Sequence, residues 1–288
     1  MKTNYENYLD QVRIKNSFLA ESIMENTRAF FELFKDKFDY KSHINALFFG
    51  HVQSGKTAQV LGVISHLSEE DIPVFLYLTT DNVILYNQTY ERIQKNFSYF
   101  TTCNEHDDIE FLNWNLSTPL ILVLKKNARI LKKWRNLFGG KVEIHGRPLV
   151  IVDDEADASS LNTLVNKGKR STINMHLTEI KKLVTSSLYI QLTATPQAIL
   201  LQNKISGWSP DFSFFFKPGN SYIGGNYIYS RPKSYAIIET PEFEFDEIKR
   251  SYDVIPDGLR EALMSFLIIC AYFKFSNRNT CNFLIHPI

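Results

Sequence analysis

The residues best suited to chemistry in this sequence form a glycine-rich segment, Gly50-His-Val-Gln-Ser-Gly-Lys-Thr57. It matches G-x-x-x-x-G-K-[ST], a loop whose backbone N–H groups surround phosphates because glycine has no Cβ to obstruct them. We expect Lys56 to reach the β- and γ-phosphates and Thr57 to ligate Mg²⁺. A helical pattern follows, so a helix N-terminus would face the same anion. The segment predicts an ATP site made of Gly50, Gln53, Ser54, Gly55, Lys56, Thr57 and Ala58.

A group of acids follows the apolar run Leu149-Val-Ile-Val152, at Asp153, Asp154, Glu155 and Asp157. We expect this strand to lie beside the phosphate loop, so that Asp154 holds Mg²⁺ through water. Glu155 is placed to polarise the attacking water, and we predict it as a catalytic residue together with Lys56. An acidic surface turn is the alternative, but it does not explain why the acids follow a buried strand.

Two threonines, Thr193 and Thr195, follow another apolar run, Ser187-Leu-Tyr-Ile-Gln-Leu192. Their hydroxyls could hydrogen-bond Asp157 if both strands end at the same edge of a sheet. We therefore predict Asp157, Thr193 and Thr195 as a group that couples the nucleotide to a neighbouring surface.

Several polar residues near the same predicted edge are candidates for contacts with the phosphate backbone of nucleic acid, which position it without reading its sequence. Thr79 and Thr80 end one apolar run, and Gln88 and Arg92 lie on the helix that follows. A basic stretch supplies the others, beginning with Lys125 and Lys126 and continuing through Arg129, Lys132, Lys133 and Arg135. A solvated helix face explains this stretch equally well.

The elements that must position these residues alternate along the chain. Short apolar runs occupy residues 46–49, 73–78, 120–124, 149–152 and 187–192, and helical patterns occupy residues 56–67, 83–95, 128–137 and 175–185. Apolar strands separated by helices are typical of a sheet covered on both faces. We therefore predict a doubly wound α/β domain with a mainly parallel sheet over residues 40–205. An amphipathic helix from Asn16 to Phe38 falls in a predicted helical extension, residues 1–39.

The composition sets further limits. The chain has 288 residues, 44% of them hydrophobic, and 32 Lys and Arg against 31 Asp and Glu. This excludes a disordered chain and a basic field spread over the whole protein. Cys103, Cys270 and Cys281 have no metal-like spacing and suggest a reducing compartment. With no apolar segment long enough to span a bilayer, we predict a cytoplasmic protein without membrane contact.

The order of phosphate loop, D-E-A-D-like acids and T-A-T resembles superfamily-two helicases and translocases, which implies a RecA-like P-loop NTPase lobe. The residues within and between these motifs resemble more specifically those of the Z-one domain family. Its members are endonuclease-associated ATPases of bacterial restriction and phage-defence operons. The similar segments are residues 50–58, 85–92, 123–127, 153–162, 192–196, 218–219 and 222–225. One departure is Gln197-Ala-Ile199, where the family has Phe-Ala-Asn.

The resemblance implies an ATP-hydrolysing motor lobe that acts on DNA, uses ATP and Mg²⁺, and works with a partner nuclease or another defence-operon protein. A nucleotide-binding interaction module that recruits a nuclease without motor activity is the alternative. We expect an irregular or short-stranded connector over residues 206–257. Residues 258–288, with a strand at Asn282-Phe-Leu-Ile285, would begin a second RecA-like lobe, so the chain would be a fragment or a shortened motor that hydrolyses ATP slowly.

Overall fold

Seven parallel strands form the centre of the fold in a computed structural model that describes residues 2–159, 172–201, 207–229, 241, 243, 244, 246, 255–277 and 281–283. They are β1 His43–Phe49, β2 Val74–Thr79, β3 Thr101–Cys103, β4 Leu120–Lys125, β5 Pro148–Asp154, β6 Ser186–Thr193 and β7 Phe212–Phe215. Their order in the sheet is β3-β4-β2-β5-β6-β1-β7, and every neighbouring pair is parallel. The predicted α/β fold with a parallel sheet is confirmed.

Helices cover both faces of this sheet. They are α1 Asn4–Lys15, α2 Ser17–Lys37, α3 Lys56–Leu67, α4 Val83–Asn96, α5 Asp108–Asn113, α6 Ala128–Gly140, α7 Ala156–Ser159, α8 Thr172–Lys181 and α9 Gln197–Leu200, with a 3₁₀ turn at Val142–Ile144. Alternate residues of β2 explain the two layers: Phe75 belongs to the hydrophobic cluster that contains residues of α1, α2 and α3, whereas Leu76 belongs to the cluster that contains residues of α5, α6 and α8. All residues of β2 and β6 are buried; the sequence of β2 is almost continuously apolar, whereas β6 also buries Ser186, Ser187, Gln191 and Thr193.

The N-terminal helices belong to the hydrophobic core of the sheet domain. The helix predicted from Asn16 to Phe38 is present as α2, and α1 precedes it without having been predicted. Its start carries a capping box between Thr3 and Glu6, a signal that the sequence does contain. A buried polar cluster then joins α2 to α3, because the Asn26 amide donates to Gln59 Oε1 at 3.1 Å and to Lys217 O at 2.8 Å.

One predicted neighbour relationship is wrong. We expected the acidic strand to lie beside the phosphate loop, but β6 lies between β1 and β5. Each of those two strands therefore pairs with β6, the strand that carries Thr193.

The chain divides into two units, Met1–Gly224 and Gly225–Ile288. The predicted connector contributes β7 to the sheet of the first unit. In the second unit, α10 spans Gly225–Tyr229 and α11 spans Asp257–Phe275. Asn282 and Phe283 are not in a strand, and Leu284 and Ile285 lie outside the described residues, as do residues 160–171, 202–206 and most of 230–254. Within the described ranges, no helix is long and apolar enough to cross a membrane.

Candidate nucleotide-binding site

The predicted site residues meet at the carboxyl-terminal edge of the sheet. Phe49, the last residue of β1, is level with Thr193, and Asp154 is level with Leu192. The strands that lead into the phosphate loop, the acids and the threonines therefore end level with one another at this edge. Two strand spacings, about 10 Å, separate β1 from β5. This edge is where open α/β sheets bind their ligands.

The phosphate loop makes a tight turn between β1 and α3. Gly55 has φ of +85° and Gln53 of +56°, both in the left-handed region that glycine tolerates best. A Cβ at Gly50 would lie 3.3 Å from Lys56 Cγ, from Phe216 O and from Ser54 Oγ. A side chain at position 50 would therefore crowd Lys56, Ser54 and the backbone of Phe216.

Lys56 lies at the start of α3 with its ammonium over the loop, where it donates a hydrogen bond to His51 O at 3.0 Å. Burial lowers its pKa, and three nearby carboxylates act in the opposite direction: Asp154, Asp157 and Glu155. The acids on β5 and α7 are therefore close enough to influence this cation across β6. An ammonium that lies over a glycine loop, with carboxylates nearby, is the charge arrangement that a magnesium–phosphate group needs.

The loop also contains a polar atom suited to a ligand. Ser54 is buried, and its Oγ has no hydrogen-bond partner among the described residues. Buried hydroxyls normally have partners, so this atom fits a phosphate oxygen at the loop. No cluster of three or more His, Cys, Asp or Glu side chains in the described part of the chain could hold a metal by itself. Mg²⁺ commonly uses one or two carboxylates with phosphates and water, so Thr57 and Asp154 fit Mg²⁺ that arrives with ATP.

The acids after β5 have different environments. Asp153 is fully buried; it forms an ion pair with Lys126 and accepts a hydrogen bond from the Tyr189 hydroxyl, so it is not available to a ligand. Asp154 accepts hydrogen bonds from the Tyr77 hydroxyl at 2.9 Å and from the Glu155 amide at 3.1 Å. Burial raises the pKa of Asp154, and the neighbouring Glu155 adds to that effect.

Glu155 is exposed at the end of the strand and has φ of +52°, an unusual conformation for a residue with a side chain. Strained backbone of this kind is common in active sites. Its exposed carboxylate remains a candidate for the general base.

The hydrogen bonds predicted for Asp157 are present. Thr193 Oγ1 donates to Asp157 Oδ1 and Thr195 Oγ1 to Asp157 Oδ2, both at 2.6 Å. The Thr195 amide donates to Thr193 Oγ1 at 2.9 Å. Burial acts to raise the pKa of Asp157, but the two hydroxyls, its own backbone amide and the Lys126 charge together lower it. This network links β6 directly to the residues after β5.

The candidate nucleic-acid contacts on β2 and α4 are placed differently from one another. Thr79 is buried, and its hydroxyl donates to Thr80 O at 3.1 Å. The Thr80 hydroxyl is also buried and has no partner among the described residues. Gln88 and Arg92 are exposed on α4, so they are available to a ligand.

The predicted contact at Lys126 is wrong, because its side chain is entirely buried and its ammonium is used inside the protein. Lys125 is only 15% exposed; it forms an ion pair with Glu105 at 2.8 Å and lies over the Tyr86 ring. Two further members of the basic stretch also form ion pairs, Lys133 with Asp108 and Arg135 with Glu179. The stretch is therefore not a continuous track for phosphates.

Sequence reasoning missed three tyrosines around the site. Tyr77 on β2 and Tyr189 on β6 bind the acids of β5, and nothing in an apolar strand pattern distinguishes them from core aromatics. The third, Tyr222, donates to Val52 O of the phosphate loop at 2.7 Å, and its ring stacks on His51 with centroids 5.8 Å apart. His51, which is not among the predicted site residues, thus contributes to holding the loop.

No protein-family model and no curated protein matches this sequence. The helicase domain of Hef from Pyrococcus furiosus is 19% identical over 64% of this chain and 36% of that one, with a TM-score of 0.44. The SWI2/SNF2 ATPase core of Sulfolobus solfataricus, solved with dsDNA, is 18% identical over 62% of this chain and 32% of that one, with a TM-score of 0.40. For the Aeropyrum pernix ORC2 protein, solved as ADPNP–ADP complexes, the identity is 13%, the coverages are 66% and 46%, and the TM-score is 0.35.

The matched region thus spans less than half of each of those chains. All three TM-scores lie below 0.5, and the fold follows from the sheet itself. A parallel sheet carries the phosphate loop after β1, the acids after β5 and one strand between them, with helices on both faces. The first unit is therefore an α/β lobe of the RecA-like P-loop type.

Proposed function

We propose that this chain binds ATP with Mg²⁺ at the carboxyl-terminal edge of the sheet and hydrolyses it. The observation that carries the proposal is the phosphate loop itself. In this loop a Cβ at Gly50 would crowd Ser54 Oγ, which is a buried hydroxyl without a partner among the described residues, and Lys56 lies over the same loop. A mere glycine turn would require neither the lysine nor the carboxylates that influence its pKa.

Each residue of the site has a distinct role in this proposal. The loop amides and Lys56 bind the phosphates, while Thr57 and Asp154 hold Mg²⁺. Bound Mg²⁺ would neutralise charge on the phosphates. The exposed carboxylate of Glu155 orients a water molecule and accepts its proton as the water oxygen bonds to the γ-phosphorus. The bond between that phosphorus and the oxygen bridging to the β-phosphate breaks, and ADP leaves with the bridging oxygen. Asp154 has two hydrogen-bond donors to hold its carboxylate in place, which suits a ligand that must not rotate.

The network of Asp157, Thr193 and Thr195 would couple the nucleotide to movement. It joins the segment after β5 to β6, and β6 pairs with β1, the strand that leads into the phosphate loop. A change at the γ-phosphate could thus shift the loop after β6. Gln88 and Arg92 are the exposed residues that we propose as contacts with nucleic acid.

The resemblance to the Z-one domain family supports the more specific part of the proposal. On that basis the nucleic acid would be DNA, and the setting would be restriction or anti-phage defence in a bacterial cytoplasm. A nuclease or another protein of the same operon would be the partner.

A second candidate is a nucleotide-binding interaction module without motor activity. The observation that favours it is the pairing of the basic stretch: Lys125, Lys126, Lys133 and Arg135 all have carboxylate partners within the lobe. Fewer cations then remain to bind a phosphate backbone. The module would bind ATP and change its surface, but nucleic acid would not stimulate hydrolysis.

ATP turnover with and without single- and double-stranded DNA tests both candidates. We expect Lys56→Ala to lose ATP binding and Glu155→Gln to bind ATP but hydrolyse it slowly. Undiminished turnover in both variants would refute the proposed active site. Stimulation by DNA that is lost in Gln88→Ala and Arg92→Ala favours the motor. Turnover that does not respond to DNA favours the module.

A further inference from the structure

The Lys126 ammonium lies under the turn that carries the acids. Lys126 is the residue after β4, and its backbone amide donates a hydrogen bond to Thr79 O at 2.9 Å at the end of β2. Since β2 lies between β4 and β5, the side chain crosses the end of β2 to reach β5. There it donates hydrogen bonds to Asp154 O at 2.6 Å and to Glu155 O at 2.9 Å. It also forms an ion pair with Asp153 Oδ1 at 3.0 Å.

We infer that Lys126 is a positioning residue, which holds the backbone turn at Asp154 and Glu155 so that both carboxylates face the phosphate loop. This inference rests on the proposed ATP hydrolysis. Lys126 touches neither substrate nor metal in it; its effect passes through the two carbonyl groups that it binds.

The conformation of the turn is what requires such support. Glu155 has φ of +52°, and a residue with a Cβ adopts this conformation only when its surroundings impose it. Hydrogen bonds from one ammonium to two successive carbonyls fix the orientation of both peptide groups. Because Asp154 receives its hydrogen bond from the Glu155 amide, the same turn also orients the carboxylate of Asp154.

Neutralising the buried charge of Asp153 is the competing explanation for Lys126. Neutralisation of Asp153 cannot be the whole role of Lys126. The carbonyls of Asp154 and Glu155 each accept a hydrogen bond from its ammonium, whereas Asp153 Oδ1 accepts no hydrogen bond of ordinary geometry among the described residues. Asp153 also has the Tyr189 hydroxyl as a donor. An ammonium has three donors, and two of them serve the turn.

The decisive experiment compares two variants with the wild-type chain in steady-state ATP hydrolysis. Lys126→Met removes the donors and leaves Asp153 buried without its counter-ion. Lys126→Met combined with Asp153→Asn removes the donors and the uncompensated charge together. We expect kcat to fall about 10- to 100-fold in both variants, since small displacements of catalytic groups have effects of this size. The KM for ATP should change less than about threefold, because the phosphate loop is intact.

Lys141→Met is the matched control. Lys141 is also buried and donates to two backbone carbonyls, Leu112 O at 2.7 Å and Trp114 O at 2.5 Å, but it lies away from the site. We expect the Lys141→Met variant to have a lower Tm than the wild type and an unchanged kcat. Equal losses of kcat in the Lys141 and Lys126 variants would mean that any buried lysine has this effect, and would overturn the inference.

The double variant separates positioning from neutralisation. If it regains wild-type kcat, Lys126 serves only to compensate Asp153, and the inference fails. If Lys126→Met alone does not fold, the double variant decides, because it buries no uncompensated charge. A wild-type chain that neither binds nor hydrolyses ATP would overturn the proposed function and this inference with it. Normal wild-type turnover with unaffected Lys126 variants would overturn the inference alone.

Discussion

Gly62→Ala tests how closely the N-terminal helices pack against the helix of the phosphate loop. A Cβ at Gly62 would lie 2.5 Å from Ile23 Cγ2, 3.4 Å from Thr27 Oγ1 and 3.5 Å from the Tyr8 ring. The shortest of these separations is well inside van der Waals contact, and Ile23 is fully buried. The methyl group cannot be accommodated unless α2 moves away from α3, which begins with Lys56 and Thr57.

Two opposing effects determine the size of the change. Overpacking of a buried site costs about 1–3 kcal/mol. Alanine in place of glycine inside a helix returns about 1 kcal/mol. We expect the free energy of unfolding to fall by about 1 kcal/mol, which lowers Tm by about 2–4 °C in a domain of this size. The affinity for ATP should fall as well, because the shifted helix carries the phosphate-binding residues.

Urea denaturation and thermal melts of four variants provide the assay: Gly62→Ala, Gly139→Ala, Ile23→Ala and the pair Ile23→Ala with Gly62→Ala. Gly139→Ala on α6 is the control, since a Cβ there meets nothing within 4 Å, and it should be neutral or stabilising. Ile23→Ala removes the atom that causes the clash, so the cost of the pair Ile23→Ala and Gly62→Ala should be less than the sum of the single costs by about 1 kcal/mol. If Gly62→Ala is as stable as Gly139→Ala, α2 does not approach α3 this closely and the reasoning is refuted.

Three further predictions concern single side chains. The pKa of Asp157 is lowered in the folded chain, so its contribution to stability is present above its usual pKa of 3.8 and is lost as the pH falls. Thr195→Val should lower the free energy of unfolding by about 0.5 kcal/mol at pH 7, since the pair of Thr195 and Asp157 is partly exposed. In urea melts below pH 4 the difference between this variant and the wild type should shrink. Burial lowers the pKa of Lys181 from 10.5 to about 8, so the unfolding free energy should rise between these pH values, and an unchanged rise in Lys181→Met would exclude this lysine as its source. Tyr222→Phe should weaken ATP binding about 3- to 10-fold by calorimetry, because it removes the hydrogen bond to Val52 O; unchanged affinity would show that this bond does not shape the loop.

The elements predicted well are those with a long, strong pattern. Apolar runs or helical spacing in the sequence predict the strands β1, β2, β4, β5 and β6 and the helices α2, α3, α4 and α6. Those missed are short or composed of mixed residues. β3 has only three residues, and β7 lies in a stretch rich in glycine, proline and aromatics. Such segments become strands because a neighbouring strand offers hydrogen-bond partners, and a linear pattern does not contain that information.

Single residues of the site also show that a sequence pattern predicts some features, whereas the tertiary structure decides others. Lys125 and Lys126 are adjacent at the end of β4, and we expected both to contact phosphates. The structure pairs Lys125 with Glu105 near the surface and buries Lys126 against Asp153. Adjacent side chains on extended backbone point in opposite directions, and which direction leads into the protein depends on the strands beside it.

The amino-acid sequence by itself determined the chemistry available to this protein: a glycine loop with Lys56 and Thr57, carboxylates after a buried strand, and hydroxyls after another. Local rules suffice for this, because phosphate loops and strand ends have short-range signatures. Only the tertiary structure decided which acid is buried and which is exposed, that β6 separates the loop from the acids, and that Lys126 supports the turn at Glu155. These depend on contacts between residues far apart in the chain, and burial changes the energy of a charge far more than its local sequence does.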